Sequence, residues 1–308
     1  MSKFCKIIVI ILLSLTIIVL VGGYLVSNHF FHETINANTH RNTILQSNQK
    51  DDWDSWSTEI EYREINIQSF DDLILHSYLI ENNTGKNVWV IICHDYSGNA
   101  NQMADAGKAF HSMGYSVLLL NARGHGKSEG EYYGMGWLDR LDVISWIDYI
   151  NERYPDQEII LYGVGMGAVS VMSAAGEDLP TNVKLVIEDS GYTSAYSQLA
   201  HQFNQKYHFS PFFLMDFTNF INSLYAKYDL KEASALKQVA NASIPILFIH
   251  GENDNFTPVK MAHSLYEAAA SEKELFIISG ANHDTVISSD SKLYWSTISS
   301  FIQKYLDK

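Results

Sequence analysis

The segment Gly163-Val164-Gly165-Met166-Gly167 constrains this chain more than any other, because three glycines in five residues separate a strand pattern from a helix pattern. Before it, Glu158-Ile159-Ile160-Leu161-Tyr162 is an apolar run of strand length; after it, residues 168–175 are mostly small and suit a closely packed helix. A turn this tight needs backbone conformations that side chains resist, and glycine supplies them while letting strand and helix approach. Turns of this kind also cradle phosphates in G-x-G-x-x-G sites, and Ala168 is tolerated at the third position. Against that reading, the turn lies mid-chain, and the next acidic residues at a strand end, Glu188 and Asp189, come later than the ribose-binding spacing.

The downstream sequence favours another chemistry. Ile244-Pro245-Ile246-Leu247-Phe248-Ile249-His250-Gly251 reads as a buried strand running into Glu252-Asn253-Asp254-Asn255. A helical stretch follows, then the strand Glu274-Leu275-Phe276-Ile277-Ile278 and the turn Ser279-Gly280-Ala281-Asn282-His283-Asp284. Alone, Asp254 could be a turn former and His283 one of twelve surface histidines. Together, each after its own apolar strand and after a glycine elbow, they give the order nucleophile, acid, base. On these motifs the chain, over roughly residues 59–307, resembles the α/β hydrolases. It is similar to bacterial membrane-anchored serine hydrolases of the esterase and acylaminopeptidase kind.

The resemblance implies a mostly parallel sheet with helices on both faces, no metal, no cofactor, and a triad in which Asp254 orients His283. The nucleophile belongs at the centre of G-x-S-x-G, where this chain has Gly165. Val88-Trp89-Val90-Ile91-Ile92-Cys93-His94-Asp95-Tyr96 resembles the strand and His-Gly-x turn that build the oxyanion hole, so the implied donors are the backbone N–H groups of Tyr96 and Met166. Asp95 replaces the glycine of that turn; Asp accepts positive φ better than most residues, but a carboxylate is unhelpful beside an oxyanion. Residues 121–128, Asn-Ala-Arg-Gly-His-Gly-Lys-Ser, resemble a segment that shapes the floor of the site. His94 and His125 are read as loop supports. Ser190 is a weak candidate for a displaced nucleophile because it lacks an elbow.

Composition and the N-terminus complete the frame. A chain of 308 residues with 46% hydrophobic content can fill one sizeable core, and a net charge of −14 speaks against nucleic acid as a partner. Cys5 and Cys93 are isolated and form no metal-ligand spacing. Ile7 to Val26 carries no charge over 20 residues, about 30 Å of helix, enough for a bilayer core. Lys3 and Lys6 precede it and no Lys or Arg follows before Arg41, which places the C-terminal domain outside the cytoplasm. A cleaved signal peptide, giving a secreted protein, is the alternative.

The expected organisation is an anchor over 1–28, a polar stalk over 29–58, and a hydrolase domain over 59–308 that opens with a hairpin. The stretch 191–235, rich in Phe and Tyr, is expected to be a helical cap. Its aromatics could form a lid over an apolar acyl pocket, ordinary core packing, or a face that dips into the bilayer. Two functions follow. One is an extracytoplasmic hydrolase of esters or peptides, inactive or nearly so because its serine is replaced, in which Gly165→Ser restores activity. The other is a pseudo-enzyme that binds a ligand or partner.

Overall fold

The computed structural model describes residues 3–39 and 52–306. Eight strands form one sheet: β1 (Arg63–Gln68), β2 (Ile74–Ile80), β3 (Val88–Cys93), β4 (Ser116–Leu120), β5 (Glu158–Val164), β6 (Val183–Asp189), β7 (Ile246–Gly251) and β8 (Lys273–Ile278). Their order is β1-β2-β4-β3-β5-β6-β7-β8. β2 is antiparallel to both neighbours, and all pairs from β4 to β8 are parallel. The helices are α1 (Lys3–Thr34), α2 (Asp52–Trp56), α3 (Ala104–Ser112), α4 (Asp139–Arg153), α5 (Met166–Ala175), α6 (Ala195–Tyr207), α7 (Leu214–Tyr225), α8 (Ala235–Val239), α9 (Lys260–Ala268), α10 (Val286–Ser289) and α11 (Ser291–Leu306).

The unbroken apolar runs of β3, β4 and β5 arise because parallel strands are buried on both faces. Period-two alternation splits each run between two cores. Trp89, Ile91, Leu118 and Leu161 share one core with Val143 and Trp146 of α4 and with α5. Val90, Ile92, Leu119, Ile160 and Tyr162 share the other with Phe110 of α3 and with Tyr294, Ile298 and Phe301 of α11. This is the α/β-hydrolase architecture, with helices on both sides of the sheet and an antiparallel hairpin at its start. Because β3 and β5 to β8 run the same way, the loops that follow them emerge at one edge of the sheet.

The expected stalk over 29–58 departs from the structure at both ends, and its middle, residues 40–51, lies outside the described residues. α1 does not stop at residue 28 but continues to Thr34, with Phe30, Phe31, Ile35 and Ala37 buried in the core of the globular domain. Trp53 and Trp56 of α2 are buried as well, in the second core. The polar composition of the stretch concealed these aromatics, which have no partner until the cap and α3 are in place.

The tightest approach lies at the elbow. A Cβ on Gly163 would overlap the backbone of Gly167 and Ala168, and a Cβ on Gly167 would overlap the carbonyl of Cys93. Gly163→Ala is therefore expected to separate β5 from α5 and cost several kcal/mol, since backbone cannot step aside. Gly280, at φ +74°, has open space around its Cα, so Gly280→Ala should cost only left-handed strain, about 1–2 kcal/mol. Urea unfolding midpoints of the two variants check this contrast.

Candidate functional site

Each residue singled out in the sequence stands after a strand at the common edge. Gly165 closes β5 with φ +54° and ψ −112°, as N-cap of α5, its N–H donating to Asp189 O at 2.8 Å. Asp254 follows β7 and His283 follows β8. The structure brings Asp254 and His283 together: Nδ1 of His283 donates to Oδ2 of Asp254 at 2.7 Å. The other Asp254 oxygen, Oδ1, accepts the backbone N–H groups of Phe256 and Thr257 at 2.8 and 2.7 Å. His250 Nε2 adds a contact at 3.3 Å to Oδ2 while donating to Thr257 O at 2.7 Å. With these donors and the nearby imidazole outweighing burial, the Asp254 carboxyl lies far below its ordinary range. His250 was missed in the sequence, although a polar residue in the run Ile246-Leu247-Phe248-Ile249 was its signal.

The decisive side chain is Asp95. Its Oδ1 accepts the N–H of Met166 at 3.0 Å, and the Tyr96 amide also stabilises the charge. Its Oδ2 lies 3.7 Å from His283 Nε2. Both amides implied as oxyanion-hole donors thus already serve a carboxylate of the protein itself. The Asp95 backbone does not adopt positive φ, so this position makes no conformational demand for glycine. The demand lies at Gly165 instead. A Cβ there would overlap Oδ1 and Cγ of Asp95. The two departures from the hydrolase pattern are one substitution in space, a side chain removed from the elbow and another reaching over it from the facing loop.

This changes the expected outcome of Gly165→Ser. The single change puts a serine into space that the Asp95 carboxylate holds, so the carboxylate must swing aside before the serine can stand beside His283.

The surrounding candidates are structural. His94 Nδ1 donates to Asp95 O at 2.7 Å and Nε2 accepts from Ala122 N at 3.1 Å, with burial pushing its pKa down to about 3. His125 contacts the Tyr96 carbonyl at 2.9 Å, supporting the same loop. Arg123 is buried between Asp71 and Asp142. Ser190 is buried, with its hydroxyl donating to Asp189 at 2.8 Å. Beside Asp95 and Gly165 opens a cavity of about 240 Å³ whose wall includes Phe30, Tyr96, Met135, Tyr192, Leu199 and Phe256. A wider depression of about 750 Å³ near Arg63 and Glu81 contains none of the residues above.

Burial disfavours charge on His283, but the carboxylates of Asp254 and Asp95 outweigh it and raise its pKa to about 10. At neutral pH it is an imidazolium between two anions, a donor on both nitrogens and no base. In the unfolded chain its pKa returns to about 6.5. The folded value is the higher one, so the stabilisation is complete below about pH 6.5, declines as pH rises, and is gone above about pH 10. Asp95→Asn removes one of the two anions and should flatten that decline. Urea midpoints measured from pH 7 to 10 decide it, and parallel slopes for parent and variant would show that Asp95 does not act on His283.

Residues 86–209 and 214–290, more than half of the chain, match the family model described as Serine aminopeptidase, S33. The chain is 26% identical over 219 residues to the Bacillus subtilis protein YqkD, covering 71% of this chain and 72% of that one. It is 28% identical over 172 residues to lysophosphatidylserine lipase ABHD12 of Danio rerio, covering 54% of this chain and 43% of that protein. The Pyrococcus furiosus esterase Pf2001 superposes with a TM-score of 0.68 at 22% identity, over 82% of this chain and 94% of that one, which shows a common fold. A glycine elbow, the acid and histidine turns in order after it, this sheet and the family match converge: the chain belongs to the serine aminopeptidase S33 family of α/β hydrolases.

Proposed function

We propose that this chain is a membrane-tethered protein whose hydrolase domain lies outside the cytoplasm and binds an ester- or peptide-like ligand with an apolar acyl group, without cleaving it by the serine route. The observation that carries this reading is the Asp95 carboxylate on the Met166 amide above Gly165. Acyl transfer needs a nucleophile at the elbow, amides free to receive a developing oxyanion, and a neutral histidine to take a proton. Here the first is a glycine, the second hold an anion, and the third is charged. Loss of a triad nucleophile alone lowers turnover by about a million-fold.

The ligand class follows from the cavity, whose wall joins the apolar Phe30, Tyr96, Met135, Tyr192, Leu199 and Phe256 to polar groups both beside Asp95 and at Glu33, Gln202 and Lys206. The names of similar proteins, an esterase and a lysophosphatidylserine lipase, point to acyl esters as well. α1 is long and apolar enough to cross a membrane, and the lysines before it orient its N-terminus inward. Protease treatment of intact cells should therefore digest the chain beyond about residue 30 while an unprocessed N-terminus stays protected; recovery of a chain starting near residues 24–28 would replace the anchor with a cleaved leader.

Serine chemistry is recoverable if Asp95 and Gly165 are exchanged together. The double variant Asp95→Gly/Gly165→Ser clears the amides and frees His283 from one anion. It should react with a fluorophosphonate probe and hydrolyse p-nitrophenyl acetate at least a thousand-fold faster than the parent. Neither single variant should do so. Labelling of the parent chain by the probe would overturn the binding-only reading.

A further inference from the structure

The cap and the anchor are one packed unit. The Ser27 hydroxyl donates to Leu214 O at 2.8 Å, Phe30 lies edge-on to Phe203 with centroids 5.0 Å apart, and Phe31 lies 5.9 Å from Tyr225. One turn earlier, a Cβ on Gly23 would stand 2.8 Å from Phe213 and 3.4 Å from Leu214 and Phe217. Gly23 belongs to the uncharged span Ile7–Val26, three residues or about 4.5 Å inside its end. Whatever apolar medium surrounds that span therefore reaches Phe213 and Phe217.

The loop before α7 continues this surface. His208-Phe209-Ser210-Pro211-Phe212-Phe213 carries no acidic or Lys/Arg side chain. Phe209 is half exposed, and Phe212 is 80% exposed at φ +38°, a conformation that a bulky residue adopts only under strain. Among the described residues nothing covers Phe212. The cavity lies just beyond. Its wall takes Phe30, Glu33 and Thr34 from α1 and Leu199, Gln202 and Lys206 from α6. Along α1 these first three residues stand about 6–12 Å past Val26, from the outer part of the head-group layer, about 5–8 Å thick, to its surface.

We propose that the tip of the cap, residues 209–213, inserts into the same leaflet that holds α1 and sets the mouth of the cavity at head-group level, where it takes a single-chain amphiphile directly from the membrane. This rests on the reading of α1 as an anchor and of the cavity as a ligand site. Insertion fixes the tilt of the domain through two contacts, α1 and the aromatic tip, where a single helix would leave it free to swivel. The amphiphile's chain would enter against Phe30 and Leu199 without crossing water.

The test uses the full chain with Cys5→Ser, reconstituted in phosphatidylcholine–phosphatidylglycerol vesicles, with an environment-sensitive NBD label on a single cysteine introduced by Phe212→Cys, Ile17→Cys or Glu152→Cys. The label at 212 should emit blue-shifted and be quenched by lipids spin-labelled near the head group, and that at 152 should do neither. A water-exposed signal at 212 with a buried one at 17 would overturn the insertion. Water-exposed signals at both would instead sink the anchor on which it rests. Phe212→Asp, at an exposed position, should slow uptake of a fluorescent lysophosphatidylcholine from vesicles about tenfold. It should leave binding of the same lipid, offered as a monomer in solution, unchanged. Uptake at the parent rate would refute delivery through the tip, and no binding by parent or variant would refute the ligand class.

Discussion

The approach of α5 to β5 across Gly163 and Gly167 is the contact on which the rest of this molecule depends. It permits a helix to start within one residue of a strand end, and so points the Met166 amide out over the edge of the sheet. Cys93 of β3 lies directly beside Gly163 in register, so the loop that carries Asp95 starts next to the same turn. Side chains at 95 and 165 must then compete for one small volume. In this chain the carboxylate of Asp95 fills it.

That choice has an electrostatic consequence. An oxyanion hole is a pair of aligned amide dipoles whose value lies in being unoccupied until charge develops. When a resident carboxylate accepts from them, the amides are spent on ground-state stability. The same carboxylate faces His283 from the side opposite Asp254, so the histidine holds its proton between two anions. The site is thus well ordered because it is satisfied. Each charge has an opposite charge or a donor within reach, which is how a partly buried ionic cluster avoids the penalty of desolvation.

Much of the fold was legible because parallel strands buried on both faces leave long apolar runs, and because glycine elbows and post-strand turns have local signatures. Asp254 and His283 were legible by order along the chain. The coupling of Asp95 to Gly165 was not, since 70 positions separate them and only the strand register places them face to face. His250 was concealed because one histidine in a strand looks like a tolerated interior polar group until its neighbour four residues on is seen to be Asp254. The stretch after the apolar span was hidden for a different reason. Its Phe30 and Phe31 sit among polar residues whose composition resembles a linker, and their burial requires α6 and α7, whose sequence begins more than 160 positions later.

The cap helices also explain why a chain with this site would keep so many exposed aromatics. A lid that closes only over its own pocket would turn Phe209 and Phe212 inward, where burial of each ring contributes a few kcal/mol. Here the inward face of the cap is already filled by Phe203, Leu214, Met215 and Ile221, all buried. Phe30 and Phe31 of α1 complete that packing, so the long apolar N-terminal helix is itself part of the cap's core. Phe209 still packs edge-on against Phe203, but Phe212 projects outward from the loop whose next residue, Phe213, faces Gly23 of the apolar span. A tether that only held the domain near a surface would need neither that packing nor that projecting ring. The geometry instead couples the pocket to the apolar helix, since Phe30, Glu33 and Thr34 of α1 form part of its wall.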